Sequence, residues 1–184
     1  MIQRTEPITV EAFEQFELLP ENADRLFELI NGEIVEKVPT EEHGIIVLNI
    51  ASPVREWIRQ YKRVRVGVEI RHQLPKDRHN ARLPDISYRI DTSAPVVRKG
   101  GVPVMPNLAV EVQSPDQSDD FMTEKAAYYL ANGSHMVWLV YPSRRVVEVH
   151  TSGKVETLTE SDTLDGADIL PGFKLAVSEV FALD

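Results

Sequence analysis

At 184 residues, 42% apolar and 27% charged, the chain has the length and composition of one globular domain spanning residues 1–184, which excludes a disordered chain. Cysteine is absent, so a disulfide framework, a thiolate zinc site and a cysteine nucleophile are all excluded. Of the net charge of −9, residues 55–99 contribute +7 through twelve Lys/Arg against five Asp/Glu, leaving −16 for the rest; a basic stretch on an acidic background suits one surface turned to a polyanion, although a solvated strand and loop would look the same.

The start of the chain lacks the apolar core of a signal peptide, and no apolar run approaches the roughly 18 residues of a membrane span. A cytoplasmic protein without a membrane partner is expected. Thr9 is placed to cap a short helix through Leu18, with Val10, Phe13 and Phe16 on its apolar side. Two β-rich runs, Arg25–Ile30 and Glu33–Val38, flank Asn31-Gly32, whose tolerance of positive φ predicts a hairpin. From Glu42 to Tyr61 apolar residues recur at helical spacing, with Pro53 expected to kink or interrupt the helix.

Arg63–Arg71 alternates between Val64, Val66, Val68 and Ile70 on one side and Arg63, Arg65 and Arg71 on the other, which predicts a strand with one apolar and one basic face. After a polar loop at Pro75–Arg82, Leu83–Ile90 reads as a strand entered through Pro84, and a second loop covers Asp91–Met105. Asn107–Ser114 is the next strand. The polar run Pro115–Asp120 supplies caps and an acidic first turn for a helix reaching Asn132 and stopped by Gly133. Strands follow at His135–Tyr141, Arg145–Thr151 and Val155–Thr159, and Leu170-Pro171-Gly172-Phe173 begins a last short element.

Two acids break the apolar pattern: Asp85 in Leu-Pro-Asp-Ile-Ser-Tyr and Glu111 in Asn-Leu-Ala-Val-Glu-Val. A buried carboxylate costs several kcal/mol unless compensated, and one divalent cation compensates two, so the pair reads as a metal site.

An ordered set of residues carries a resemblance. Phe27-Glu28-Leu29-Ile30-Asn31-Gly32-Glu33, His43, Pro84-Asp85, Pro106 to Pro115, Lys125, Tyr129, Gly133 and Trp138-Leu139-Val140-Tyr141-Pro142 resemble, in that order, the bacterial Uma family of restriction endonucleases, within the PD-(D/E)xK nuclease superfamily. The resemblance implies an α/β (α+β) fold with a restriction-endonuclease-like core, a mixed central sheet flanked by helices, both acids on adjacent central strands, DNA as partner and substrate, and a homodimer that pairs two sites. It also exposes a departure. The superfamily's lysine two residues after the second acid is Gln113 here; relatives can draw it from the following helix, where Lys125 stands.

The resemblance thus implies a Mg²⁺-dependent endonuclease, Mn²⁺ being an alternative, in which Asp85, Glu111 and the Val112 carbonyl, with water or phosphate, hold the cation, Lys125 orients the attacking water, and Gln113 hydrogen-bonds water or substrate without supplying charge. Removal of either acid is expected to leave the fold nearly unchanged, since two adjacent carboxylates repel. Glu28, between apolar Leu26 and Ile30, is either an accessory base or ligand or a surface residue. His43 is a candidate for phosphate contact or for support of the metal site, with a satisfied polar residue at a helix start as the alternative. Arg63, Arg65, Arg71 and Arg82 are candidate DNA contacts. A catalytically silent nucleic-acid-binding or interaction module is the rival reading, motivated by Gln113 and the acidic balance, and a hydrolase of other phosphoesters is a third.

Overall fold

Asn31 and Gly32 take φ of 52° and 81°, the left-handed backbone that an Asn-Gly turn needs, and close an antiparallel hairpin of β1 (Leu26–Ile30) and β2 (Glu33–Lys37). The structure, a computed structural model, describes residues 6–61, 64–90 and 93–184. Its contacts divide the chain into two units, Met1–Val38 with Arg71–Leu83 and Val97–Val104, and Pro39–Ile70 with Pro84–Val96 and Met105–Asp184.

In the first unit α1 (Val10–Glu17) is capped by Thr9, whose hydroxyl accepts the Ala12 N–H. Its buried Val10 and Phe13 pack with Phe27, Leu29 and Ala81. Leu29 and Ala81 exchange backbone hydrogen bonds of 3.0 and 2.9 Å, fastening the segment before Pro84 to the hairpin. The Arg71 guanidinium lies 5.0 Å from the Phe13 ring centroid and is paired with Glu17.

In the second unit α2 (Glu41–Trp57) is capped by Thr40 and runs through Pro53, which forfeits only its own N–H bond; a 3₁₀ turn, Ile58–Gln60, takes up the end of the expected helix. The sheet has the order β3 (Arg65–Val68), β4 (Ile86–Arg89), β5 (Leu108–Val112), β6 (Met136–Tyr141), β7 (Val146–Thr151) and β8 (Lys154–Leu158). Within this sheet, among the described residues, only β5 and β6 pair in parallel, and a parallel pair needs a crossover, supplied by α3 (Asp119–Ala131). A two-stranded pair of β9 (Thr163–Asp165) and β10 (Lys174–Ala176) and a short α4 (Val177–Val180) complete the unit. The fold is the expected mixed central sheet flanked by helices.

Strand alternation gives the sheet two different faces. Ile86, Tyr88, Leu108, Val110, Val112, Trp138 and Val140 share a core with Ile46, Ile50 and Val54 of α2. Ala109, Glu111, Val137 and Leu139 alternate with these on β5 and β6 and so face the opposite way, toward α3, whose Met122, Lys125, Ala126 and Tyr129 are buried.

Two strand expectations are corrected. The strand predicted at Arg63–Arg71 is Arg65–Val68, because Glu69 turns to φ 50° and Ile70 folds back over Gly67, where a Cβ would lie 2.4 Å from Ile70 Cδ1. Arg63 lies outside the described residues. The strand predicted from Leu83 pairs only from Ile86, beyond Pro84. Among the described residues no helix is long and apolar enough to cross a membrane.

Gly32 is required twice over: its φ is positive, and an added Cβ would lie 2.4 Å from Pro7 Cβ and 2.8 Å from Pro7 Cα. Gly32→Ala is therefore expected to lower stability by about 1–3 kcal/mol. Urea denaturation measures the loss; an unchanged midpoint would show that the turn relaxes without strain.

Candidate active site

Every residue of β5 is buried, so Glu111 needs partners on the face that α3 covers. Lys125 and Tyr129 stand four residues apart on one face of that helix. The Lys125 ammonium donates to Glu111 Oε2 at 2.7 Å and the Tyr129 hydroxyl donates to Oε1 at 2.7 Å. The side chains of Lys125 and Glu111 are each 2% exposed, and the Phe121 ring, one turn earlier, lies 5.8 Å from the ammonium. A helix lysine with a surface role is thereby excluded.

Asp85 sits where the β4–β5 ladder ends at Ile86 and Val110; continuing the register by one residue sets it level with Glu111. Its Oδ2 accepts the Val112 N–H at 2.6 Å, taking the place of the missing backbone acceptor. His43, in the first turn of α2, places Nε2 3.2 Å from the same oxygen. Asp85 and His43 are 2% and 6% exposed. Since N–H and C=O of one strand residue point to the same side, the Val112 carbonyl is directed to the edge where Asp85 lies.

Gln113 is turned away from the role expected of it. Its amide donates to the Gln117 carbonyl at 3.0 Å and to Asp119 Oδ1 at 2.8 Å, bracing the turn into α3. Asp119 in turn pairs with Arg144 at 3.2 Å, and the Arg144 guanidinium lies 4.1 Å over the Tyr141 ring. The Tyr141 hydroxyl donates to Glu148 at 3.3 Å; burial first, then the Glu148 carboxylate, push this phenol up to about 12, so it stays protonated at neutral pH. A cavity of about 260 Å³ opens beside this corner, lined by Thr40, His43, Gln113, Ser114, Pro142 and Ser143. It lies at the carboxyl ends of the parallel strands, where open sheets hold ligands.

The remaining candidates fall in both units. Glu28 belongs to the first unit, is fully buried and accepts the Leu83 N–H at 2.7 Å, which excludes the surface reading. Arg71 and Arg82 also lie in that unit. Arg71, expected on the basic face of a strand, is paired with Glu17, and Arg82, expected in a polar loop, is 2% exposed. Arg65 is half-buried, donates to the Ala94 carbonyl at 2.8 Å and lies opposite Arg89. Burial and the Arg65 charge lower the Arg89 pKa.

The residue that sequence reasoning passed over is Tyr129, which at helical spacing reads as a core aromatic. The motif order that included it was the one available signal.

The donor set fits a hard divalent cation. Among the described residues no group of three or more His, Cys, Asp and Glu side chains converges, as an all-protein zinc cage would require. Two buried carboxylates are nonetheless the usual protein share of a Mg²⁺ shell, water and phosphate supplying the rest. Asp85, Glu111 and the Val112 carbonyl are the groups that could hold it.

The Glu111–Lys125 pair corrects the expectation that Glu111 can be removed at no cost to the fold, since removal of either partner would leave the other a buried, unmatched charge. Lys125→Met leaves a buried carboxylate without its cation and is expected to cost about 3–5 kcal/mol. Adding Glu111→Gln should recover much of that loss. Denaturant titration of the two single variants and the double variant checks this; additive losses would show that the pair is not coupled.

Over residues 13–178 the chain matches the model of the Uma2 family, described as "Putative restriction endonuclease". A crystal structure described as "a putative nuclease belonging to DUF820 from Anabaena variabilis ATCC 29413" is 25% identical, with a TM-score of 0.79 over 95% of this chain and 98% of that one. No curated protein sequence matches. The family match takes in both acids, Lys125, Tyr129 and all six strands of the central sheet: the chain belongs to the Uma2 family.

Proposed function

We propose that this chain is a Mg²⁺-dependent DNA endonuclease whose reaction centre is built by Asp85, Glu111 and Lys125. The observation that carries the reading is a buried ammonium 2.7 Å from the second of two acids that adjoining strands bring level with each other. An isolated pair of this kind is a weak device for stability, which leaves function as its reason.

A bound Mg²⁺ or Mn²⁺ would neutralise charge at the scissile phosphate, make a coordinated water more acidic and stabilise the leaving alkoxide. Asp85, Glu111 and the Val112 carbonyl would hold the cation. His43 braces Asp85 through Oδ2, and the Val112 N–H fixes the same oxygen. Lys125 pairs with Glu111 and sets a positive charge where it can orient the attacking water and offset charge building on the phosphoryl oxygens. Gln113 contributes by holding the turn that begins α3. Arg65 is the one basic candidate within this unit among the described residues that were expected to meet DNA. A cytoplasmic setting and a homodimer fit the reading, since two copies would be needed to cut both strands together.

The chain should nick supercoiled plasmid with Mg²⁺ and stop when the metal is chelated. Asp85→Asn and Glu111→Gln should each abolish nicking. Lys125→Met should lose on the order of 10²–10³ in rate when measured at saturating Mg²⁺, the usual effect of removing one electrostatic contact. Cleavage that survives chelation or both acid substitutions would overturn the proposal. DNA binding without cleavage at any metal concentration would favour the silent module, and hydrolysis of small phosphoesters without DNA cleavage the third reading.

A further inference from the structure

Glu111 is held at both oxygens by two residues of one helix, and only one of them carries charge. A buried phenol needs an acceptor, yet a carbonyl would serve; Tyr129, fully buried, gives its hydroxyl at 2.7 Å to Glu111 Oε1. Lys125, one turn earlier, occupies Oε2 at the same 2.7 Å. A carboxylate gripped at one oxygen can still swing about its last torsion, which is broad and nearly free. Gripped at both from a single rigid helix, it cannot. Each carboxylate oxygen has two lone pairs, so accepting a hydrogen bond and ligating a cation are compatible at one atom.

We infer that Tyr129 is a positioning residue for the metal: its hydroxyl, with Lys125, locks the Glu111 carboxylate in the one orientation that presents it to a divalent cation. The inference rests on the metal reading above. Partners that orient a ligating side chain without touching the ion govern affinity, and their loss typically weakens metal binding by about 10–100-fold. The phenol acts on the ligand before any substrate is present, so its effect belongs to binding and not to the chemical step.

Tyr129→Phe removes one oxygen and keeps the ring. Mn²⁺ binding followed by electron paramagnetic resonance, with no DNA present, should show affinity reduced about 10–100-fold while the fold, judged by circular dichroism, is retained. In a Glu111→Gln background the same substitution should have no further effect on the residual Mn²⁺ affinity, because the phenol works only through Glu111. Unchanged affinity in Tyr129→Phe, or an equal loss in the Glu111→Gln background, overturns the inference and leaves the metal reading standing. Wild-type protein that binds no Mn²⁺ at millimolar concentration overturns both. Should Tyr129→Phe not fold, 3-fluorotyrosine placed at position 129 alone keeps the hydroxyl, and its fluorine resonance should shift during a Mg²⁺ titration with the midpoint of binding. A resonance unmoved through saturation overturns the inference.

Discussion

The hydrogen-bonded ion pair between Glu111 and Lys125 is the constraint around which the second unit is arranged. Each of these charges, taken singly into a sheet face closed by a helix, would cost several kcal/mol, so neither residue is tolerable there without the other. The pair therefore fixes more than itself. It sets the rotation of α3 about its own axis, because Lys125 must face β5, and that rotation carries Tyr129 to the other oxygen of the same carboxylate. Met122 and Ala126, which share the inner side of the helix, then fill the space around the polar contact and keep water from weakening it.

Chain topology makes that arrangement possible. β5 and β6 are parallel, so the chain has to return across the sheet between them, and the returning element is α3. The helix that covers Glu111 is thus the one that follows β5 after a connection of six residues, short and well braced, in which Gln113 holds Gln117 and Asp119 while Ser118 caps the first turn. On the other side, β4 stops pairing at Ile86, and the Val112 N–H left over at the end of the ladder is taken by Asp85. Two ordinary features of a mixed sheet, a crossover and a ladder that runs out, bring two carboxylates and an ammonium to one end of β5.

Those features were unequally legible. Asn31-Gly32 announces its hairpin because few residue pairs accept two positive φ angles, and β5 and α3 declare themselves by apolar runs and caps. The two acids stood out because each interrupts such a run. Alternation misled at Arg63–Arg71, where the pattern continues through Glu69 although the backbone there turns to φ 50°; a period of two describes side chains and is blind to a single left-handed residue. Arg71, expected on the basic strand face, belongs to the unit built on the hairpin, where Glu17 engages it, and a partner so distant in sequence leaves no trace in local composition. Tyr129 was hidden by its chemistry, since an aromatic residue at helical spacing is core in most helices, and only the contact to Glu111 Oε1 shows that its polar end has a separate use. β9 is three residues long, too short for periodicity to register.

That a lysine stands on α3 and a glutamine at the end of β5 follows from the same geometry. A lysine at position 113 would share the face of Glu111, two residues along the strand, but there it would stand at the rim of the sheet beside the cavity, where the turn into α3 begins. A lysine on α3 approaches Glu111 from directly above the sheet and is enclosed by the helix that carries it, with its side chain 2% exposed. Enclosure strengthens the contact with the carboxylate and lowers the freedom of a long flexible side chain that an open rim would leave mobile. Position 113 is then available for an uncharged residue, and an amide suits it because two N–H donors can hold both the Gln117 carbonyl and Asp119. Gln113 is therefore part of what places Lys125: it anchors the start of the helix from which the ammonium reaches back to the strand.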